Sequence, residues 1–135
     1  MLLLTTKICI GNIDSLNYIG TLTINDNPSK QIFFNIVFAE KNGIVNGYSI
    51  TNKGFKDETK SIISGVYYKK NKTYQIQETE IVNTKSEAKL NSFCYINMNL
   101  KIKGKFSKKR LEGQFKGNFL DSTQCATGEV YMIEK

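Results

Sequence analysis

The residues best placed to do chemistry lie in the run Tyr74-Gln-Ile76-Gln-Glu78-Thr-Glu80-Ile-Val82. In an extended chain alternate side chains share a face, so Tyr74, Ile76, Glu78, Glu80 and Val82 would point the same way. If Tyr74 and Ile76 face an apolar interior, Glu78 faces it too. A carboxyl group held there must either keep its proton or find a donor. It could then anchor the amine or hydroxyl of a ligand, or act as a general base. Two structural readings stand beside these: a bulge re-aims the side chains as the strand leaves the core, or Glu78 makes a fixed hydrogen bond to a tyrosine or asparagine. Two ionised glutamates at this spacing would repel inside a core, so at least one of the pair is expected to meet water.

Tyrosine is the second candidate. Seven tyrosines are spread along the chain, and a buried phenol requires a partner for its hydroxyl. With Glu78, the residues Tyr48, Tyr74 and Tyr131 form the expected polar lining of an interior ligand site. The bland alternative is ordinary core filling, with hydroxyls reaching the ends of the fold.

Other chemistries are poorly supplied. There is no histidine, which removes the usual neutral-pH base and the commonest metal ligand. Cys9, Cys94 and Cys125 do not have zinc-site spacing, and nothing points to a cofactor or a metal. Cys94 and Cys125 each fall at the start of an extended run at the same end of the molecule. A disulfide between them requires their Cα atoms to come within about 7 Å. The intervening strand would normally hold them about 10 Å apart, so the short loop 121–124 would have to fold over. Two reduced thiols are the alternative.

Net charge is +7, carried almost wholly by lysine. The densest basic stretch, Lys101-Ile-Lys103-Gly-Lys105-Phe-Ser-Lys108-Lys109-Arg110, interleaves lysine with Phe106, as single-strand nucleic-acid binders do. Its lysines alternate with Ile102, however, as on a solvent face beside a core. Asn- and Ile-rich composition accounts for the charge as well, so nucleic acid is not the expected partner. No apolar run reaches 18 residues, so no transmembrane helix is expected. The opening Met1-Leu-Leu-Leu lacks the basic start and long apolar core of a signal peptide. Residues 1–15 are an extra edge strand or the remnant of a leader. The compartment stays open between cytoplasm and an extracytoplasmic space after leader removal.

The elements that must position these residues are strands. Extended runs alternate with polar turns every 8 to 15 residues or so, the rhythm of an antiparallel sandwich or barrel. The expected strands are Leu16 to Ile24, Gln31 to Glu40, Gly43 to Thr51, Lys60 to Lys69, Thr73 to Asn83, Ser92 to Lys103, Arg110 to Leu120 and Gln124 to Glu134. Asn42-Gly43 suits a tight hairpin, and Thr84 to Asn91 is the only plausible helical turn. Alternation is clearest where Cys94, Ile96, Met98, Leu100 and Ile102 oppose Phe93, Tyr95, Asn97, Asn99 and Lys101. Phe34, Ile36 and Phe38 likewise oppose Phe33, Asn35 and Val37, and Leu111, Phe115 and Phe119 share a third such face. Six glycines inside strands signal sharp bends, which eight strands need in order to close. The expected fold is all-β: one antiparallel up-and-down barrel of about eight strands, in a single domain over residues 1–135.

The units Gly20-Thr-Leu-Thr, Gly47-Tyr-Ser-Ile, Gly65-Val-Tyr-Tyr and Leu111-Glu-Gly113-Gln-Phe carry a resemblance. Over residues 16–134 the chain resembles the lipocalin and avidin-like superfamily of meander barrels. The resemblance implies an interior that holds a ligand. The chain has no tryptophan, so it lacks both the Gly-x-Trp usual near the first lipocalin strand and the tryptophans of avidin-like biotin sites. Biotin binding is therefore not implied. Three functions follow in order of expectation. The first is a non-catalytic barrel holding a small or lipidic molecule. The second is a protein-interaction module (an inhibitor, immunity or accessory protein) using an outer patch of Phe33, Phe93 and Tyr95. The third is a barrel isomerase or cyclase with Glu78 as base and tyrosines as donors.

Overall fold

The computed structural model describes residues 15–104 and 108–135. They form eight strands: β1 (Leu16–Ile24), β2 (Asn27–Lys41), β3 (Ile44–Thr51), β4 (Thr59–Tyr68), β5 (Thr73–Thr84), β6 (Tyr95–Lys103), β7 (Arg110–Asn118) and β8 (Gln124–Glu134). Each pairs antiparallel with the next, and β8 returns to pair with β1. Closure pairs every described strand on both sides over at least part of its length. A 3-10 turn at Leu90–Ser92 is the one helical element among the described residues. The expectation of an edge strand or leader remnant falls on residues 1–14, outside the described residues, as do Lys105 and Phe106.

Alternation dictates which side of each strand is inside. Phe34, Ile36 and Phe38 of β2, Ile96, Met98 and Leu100 of β6, and Leu111 and Phe115 of β7 are all buried. Asn42 and Gly43 take positive φ of 53° and 85°, the left-handed pair that a two-residue hairpin requires. Gly113 in β7 lies so close to β6 that a Cβ there would overlap the Asn99 carbonyl, so only glycine allows this coiling. One boundary differs from expectation. β2 starts at Asn27, because Asn27 pairs with Ile24 and Gln31 with Thr23, leaving 28–30 looped out of the ladder. Pro28, which has no N–H to donate, fits that gap.

The interior is filled unevenly. One end is shut by the short turns after β2 and β4. Beneath them Tyr18, Phe38, Tyr67 and Tyr74 pack ring on ring, with Phe38–Tyr74 centroids 5.1 Å apart and Tyr67–Tyr74 centroids 4.6 Å apart. At the other end the loops 51–59, 84–95 and 118–124 stand around an opening.

Candidate functional site

A cavity of about 420 Å³ occupies the open end. Its apolar surface comes from Leu22, Ile32, Ile81, Phe93, Phe115 and Phe119, and its rim from Thr51, Asn52, Asp57, Ser86 and Ser92. Glu78 is the charged residue at its base.

Glu78 is positioned by a break in the sheet. The β5–β6 ladder runs from the Thr73–Lys101 pair only as far as the Gln77–Asn97 pair. On the opposite side of β5, Ile63 pairs with Glu78 but Ile62 pairs with Glu80, so Thr79 is bulged out. A bulge bends its strand and reverses the facing of the residues beyond it. Glu80 therefore turns to solvent, while Ile81 swings in to line the cavity. With β5 bent away, the first amide of β6 that faces it has no ladder partner. Glu78 supplies one: its Oε1 accepts the Ile96 N–H at 2.9 Å, and its Oε2 accepts the Ser49 hydroxyl at 2.5 Å. Burial pushes the Glu78 carboxyl above the ordinary range, and the two donors only partly offset that rise. Among the described residues no lysine or arginine lines the cavity to pair with it.

Tyr95, at the start of β6, stands half-buried beside Glu78. Its hydroxyl is pushed up, first by burial and then by the nearby Glu78 and Glu80 carboxylates. Phe93 is also half-buried and belongs to the cavity wall, so of the expected outer patch only Phe33 is largely exposed.

The other expected ligand residues are not brought to this cavity. Tyr74 lies in the filled half of the barrel against Phe38 and Tyr67. Tyr48 is on the outer wall under the Lys60 ammonium, 4.3 Å from its ring centroid. Tyr131 is also on the outer wall and 50% exposed. The tyrosine donors of an isomerase site are thus not gathered around Glu78, apart from Tyr95.

Cys94 and Cys125 are joined by a disulfide with Cα atoms 6.0 Å apart, and the bridge forms part of the cavity wall. It crosses β7 at Gly117, where a Cβ would run into the Cys94 sulfur. The missing side chain is what lets the bridge lie across a whole strand. The mouth is tied down as well. The Asn52 N–H donates to the Phe33 carbonyl at 2.8 Å, its side-chain amide donates to Asp57 at 3.1 Å, and the Lys85 N–H donates to the Glu58 carbonyl at 2.8 Å.

A larger depression, about 650 Å³, lies outside the barrel over β5–β7 and is lined by Gln75, Gln77, Asn97, Asn99 and Gln114. It is open, and it holds no buried ionisable side chain. The interior cavity is the better candidate on chemistry despite its smaller volume.

Ser49, Asp57 and Ile81 were not expected from the sequence, and Tyr95 was expected on an outer patch instead. Ser49 had a signal: it shares the inward parity of Val45 and Gly47. Ile81 had none, because its facing depends on the bulge.

The chain matches no family model, and neither curated proteins nor solved structures give a significant match to it. The eight-stranded meander is compatible with a calycin-like fold. No helix among the described residues is long and apolar enough to cross a membrane, and they contain no cluster of three metal-ligating side chains.

Proposed function

We propose that this chain is a non-catalytic binding barrel, lipocalin-like in plan, that holds a small molecule in the cavity at its open end. One observation carries the reading: the interior is half filled, and its empty half presents a single buried carboxyl group in an otherwise largely apolar wall. Binding sites commonly combine an apolar enclosure of roughly 300–1,000 Å³ with a few fixed polar groups. The cavity does not extend into the packed core of Phe34, Ile36, Ile76 and Met98 or the aromatic packing around Tyr74. A compact ring or short chain therefore suits it better than a long acyl chain. A disulfide in the wall suits an oxidising compartment.

The test is a titration with a set of small apolar alcohols, acids and amines, followed by backbone-amide NMR. Saturable shifts are expected at Phe93, Ile96 and Ala126. They should vanish in Ala126→Trp, which fills the cavity from its wall. If no compound moves those amides, or if the shifts spread over the outer wall alone, the proposal is wrong.

A second reading has its own observation. Phe33 and Phe55 stack with centroids 5.7 Å apart while remaining 51% and 53% exposed. Such a pair suits a protein partner at the rim. A stoichiometric partner that is lost in the Phe33→Ser, Phe55→Ser double variant would favour it.

A further inference from the structure

The ligand's charge can be read from the cavity. Resting on the binding-barrel reading above, we infer that the ligand is a compact organic amine bound as its ammonium ion, with its apolar body against the phenylalanines and its N–H groups donated to Glu78.

The chain carries 19 lysines and arginines against 12 acidic residues, yet none of those among the described residues lines the cavity. The acidic side chains lining it are Glu78 at the base and Asp57 at the rim. An anionic headgroup would find no counter-charge there and would be repelled. A basic surface is thus coupled to an acidic interior, which composition alone does not produce.

The mouth does not share the basic excess of the chain. The segments around it carry Asp26, Asp57, Glu58, Glu87 and Asp121 beside Lys30, Lys53, Lys56, Lys85 and Lys89, and Lys85 is paired with Glu58 at 3.6 Å. The turn after β4, at the opposite end, carries the cluster Lys69, Lys70 and Lys72. A cation therefore meets no net repulsion at the opening.

Glu78 has capacity for another donor. A carboxylate offers about four lone-pair sites, and two are used, by Ser49 and Ile96. Those bonds fix the group at the wall of the void that it lines. A charge-assisted bond to an ammonium group is roughly twice as strong as a neutral one, and a buried carboxylate gains most from a partner cation. Phe93 and Tyr95 also line the cavity, and aromatic rings are favourable neighbours for a cation.

Binding is then linked to pH. Burial favours the protonated form of Glu78 in the free protein, and an ammonium ion beside it favours the ionised form. Binding therefore releases a proton, and affinity rises with pH through the titration of Glu78. The titratable groups facing the site are Asp57 from the β3–β4 loop and Tyr95 from β6, with Glu80 outside on β5. The sides contributed by β1, β2, β3, β4, β7 and β8 present Leu22, Ile32, Thr51, Ser61, Phe115 and Ala126, none of which is charged.

The experiment compares three probes with one body: cyclohexylmethylamine, cyclohexylmethanol and cyclohexanecarboxylate. Calorimetry gives affinities for the intact protein between about pH 5 and pH 8, and amide NMR reports the site. At about pH 8 the amine is still protonated. There it should bind about 10-fold or more tighter than the alcohol, equivalent to about 1.4 kcal/mol, with the carboxylate weakest. Its advantage should shrink as pH falls. In Glu78→Gln the amine and alcohol should converge to within about 3-fold; Asp57→Asn, an exposed change that keeps the fold, should lower amine affinity without erasing the preference. If the alcohol or carboxylate binds the wild-type cavity as tightly as the amine, the charge assignment fails and the binding barrel stands. If none of the three moves the cavity amides, both fail.

Discussion

Glu78 occupies the hydrogen-bonding position that a β5 backbone carbonyl would otherwise hold, accepting the Ile96 N–H at 2.9 Å across the gap between β5 and β6. One side chain thereby closes the barrel wall and presents a carboxyl group to the cavity. The ligand-facing group is part of the sheet's own hydrogen-bonding scheme, which makes its position independent of any ligand.

Removing that acceptor should be costly. Glu78→Ala leaves the Ile96 N–H buried without a partner, a loss of about 1–3 kcal/mol. Glu78→Gln keeps a carbonyl oxygen and should lose less. Urea unfolding followed by circular dichroism gives both values, and equal stability in Glu78→Ala and wild type would refute the structural role.

The pH dependence has a definite sign. The Glu78 carboxyl has a raised value in the folded state, so the native protein holds this proton more tightly than the unfolded chain does. Its contribution is greatest below the unfolded value and declines as pH rises toward the folded one. Glu58 and Asp121, whose carboxyls are lowered by the Gly54 N–H and by Thr123 respectively, act in the opposite direction. The clean measurement is a difference: wild type should lose stability relative to Glu78→Gln as pH rises through the weakly acidic range. A flat difference curve contradicts the assignment.

The disulfide closes a separation of 31 residues. Loop-entropy arithmetic gives about 3.7 kcal/mol for such a loop. The Cys94→Ser, Cys125→Ser double variant should lose a comparable amount in urea unfolding, and wild type should match it once reduced.

Gly117→Ala tests why the bridge can cross β7. The new methyl would run into the Cys94 sulfur, and overpacking of this kind costs about 1–3 kcal/mol. The cost should be concentrated in the oxidised protein. If reduced and oxidised forms lose the same amount, the bridge does not depend on glycine at this position.

Three tyrosines should ionise late. Burial pushes Tyr18 up to about 12, Tyr74 higher still, and Tyr95 upward beside Glu78. Absorbance titration near 295 nm should show these separating from the remaining phenols. Tyr18 and Tyr74 should ionise together with unfolding. Their neutral forms stabilise the fold below the ordinary phenol value, and that support is lost as pH climbs past it.

Much of the architecture was legible because it rests on a period of two. In β6, Ile96, Met98 and Leu100 face inward as their alternation with Tyr95, Asn97 and Asn99 predicts. The same parity reading was available for Tyr48 and Tyr131. Each sits between inward neighbours, Gly47 and Ser49 or Val130 and Met132, and so each faces out. The expectation that they line a pocket came from their residue type, and residue type does not set direction in a strand. The bulge at Thr79 was not legible. No local feature of Glu78-Thr-Glu80 distinguishes a continuous ladder from an interrupted one.

By itself the chain's alternation determined that it would be extended, closed and apolar within, because each strand buries one face whatever its partners do. Tertiary structure decided where the interior stays empty, which glutamate looks into it, and whether Cys94 and Cys125 bridge across Gly117. Those outcomes depend on register between strands distant in sequence, where one skipped residue reverses a side chain from wall to cavity.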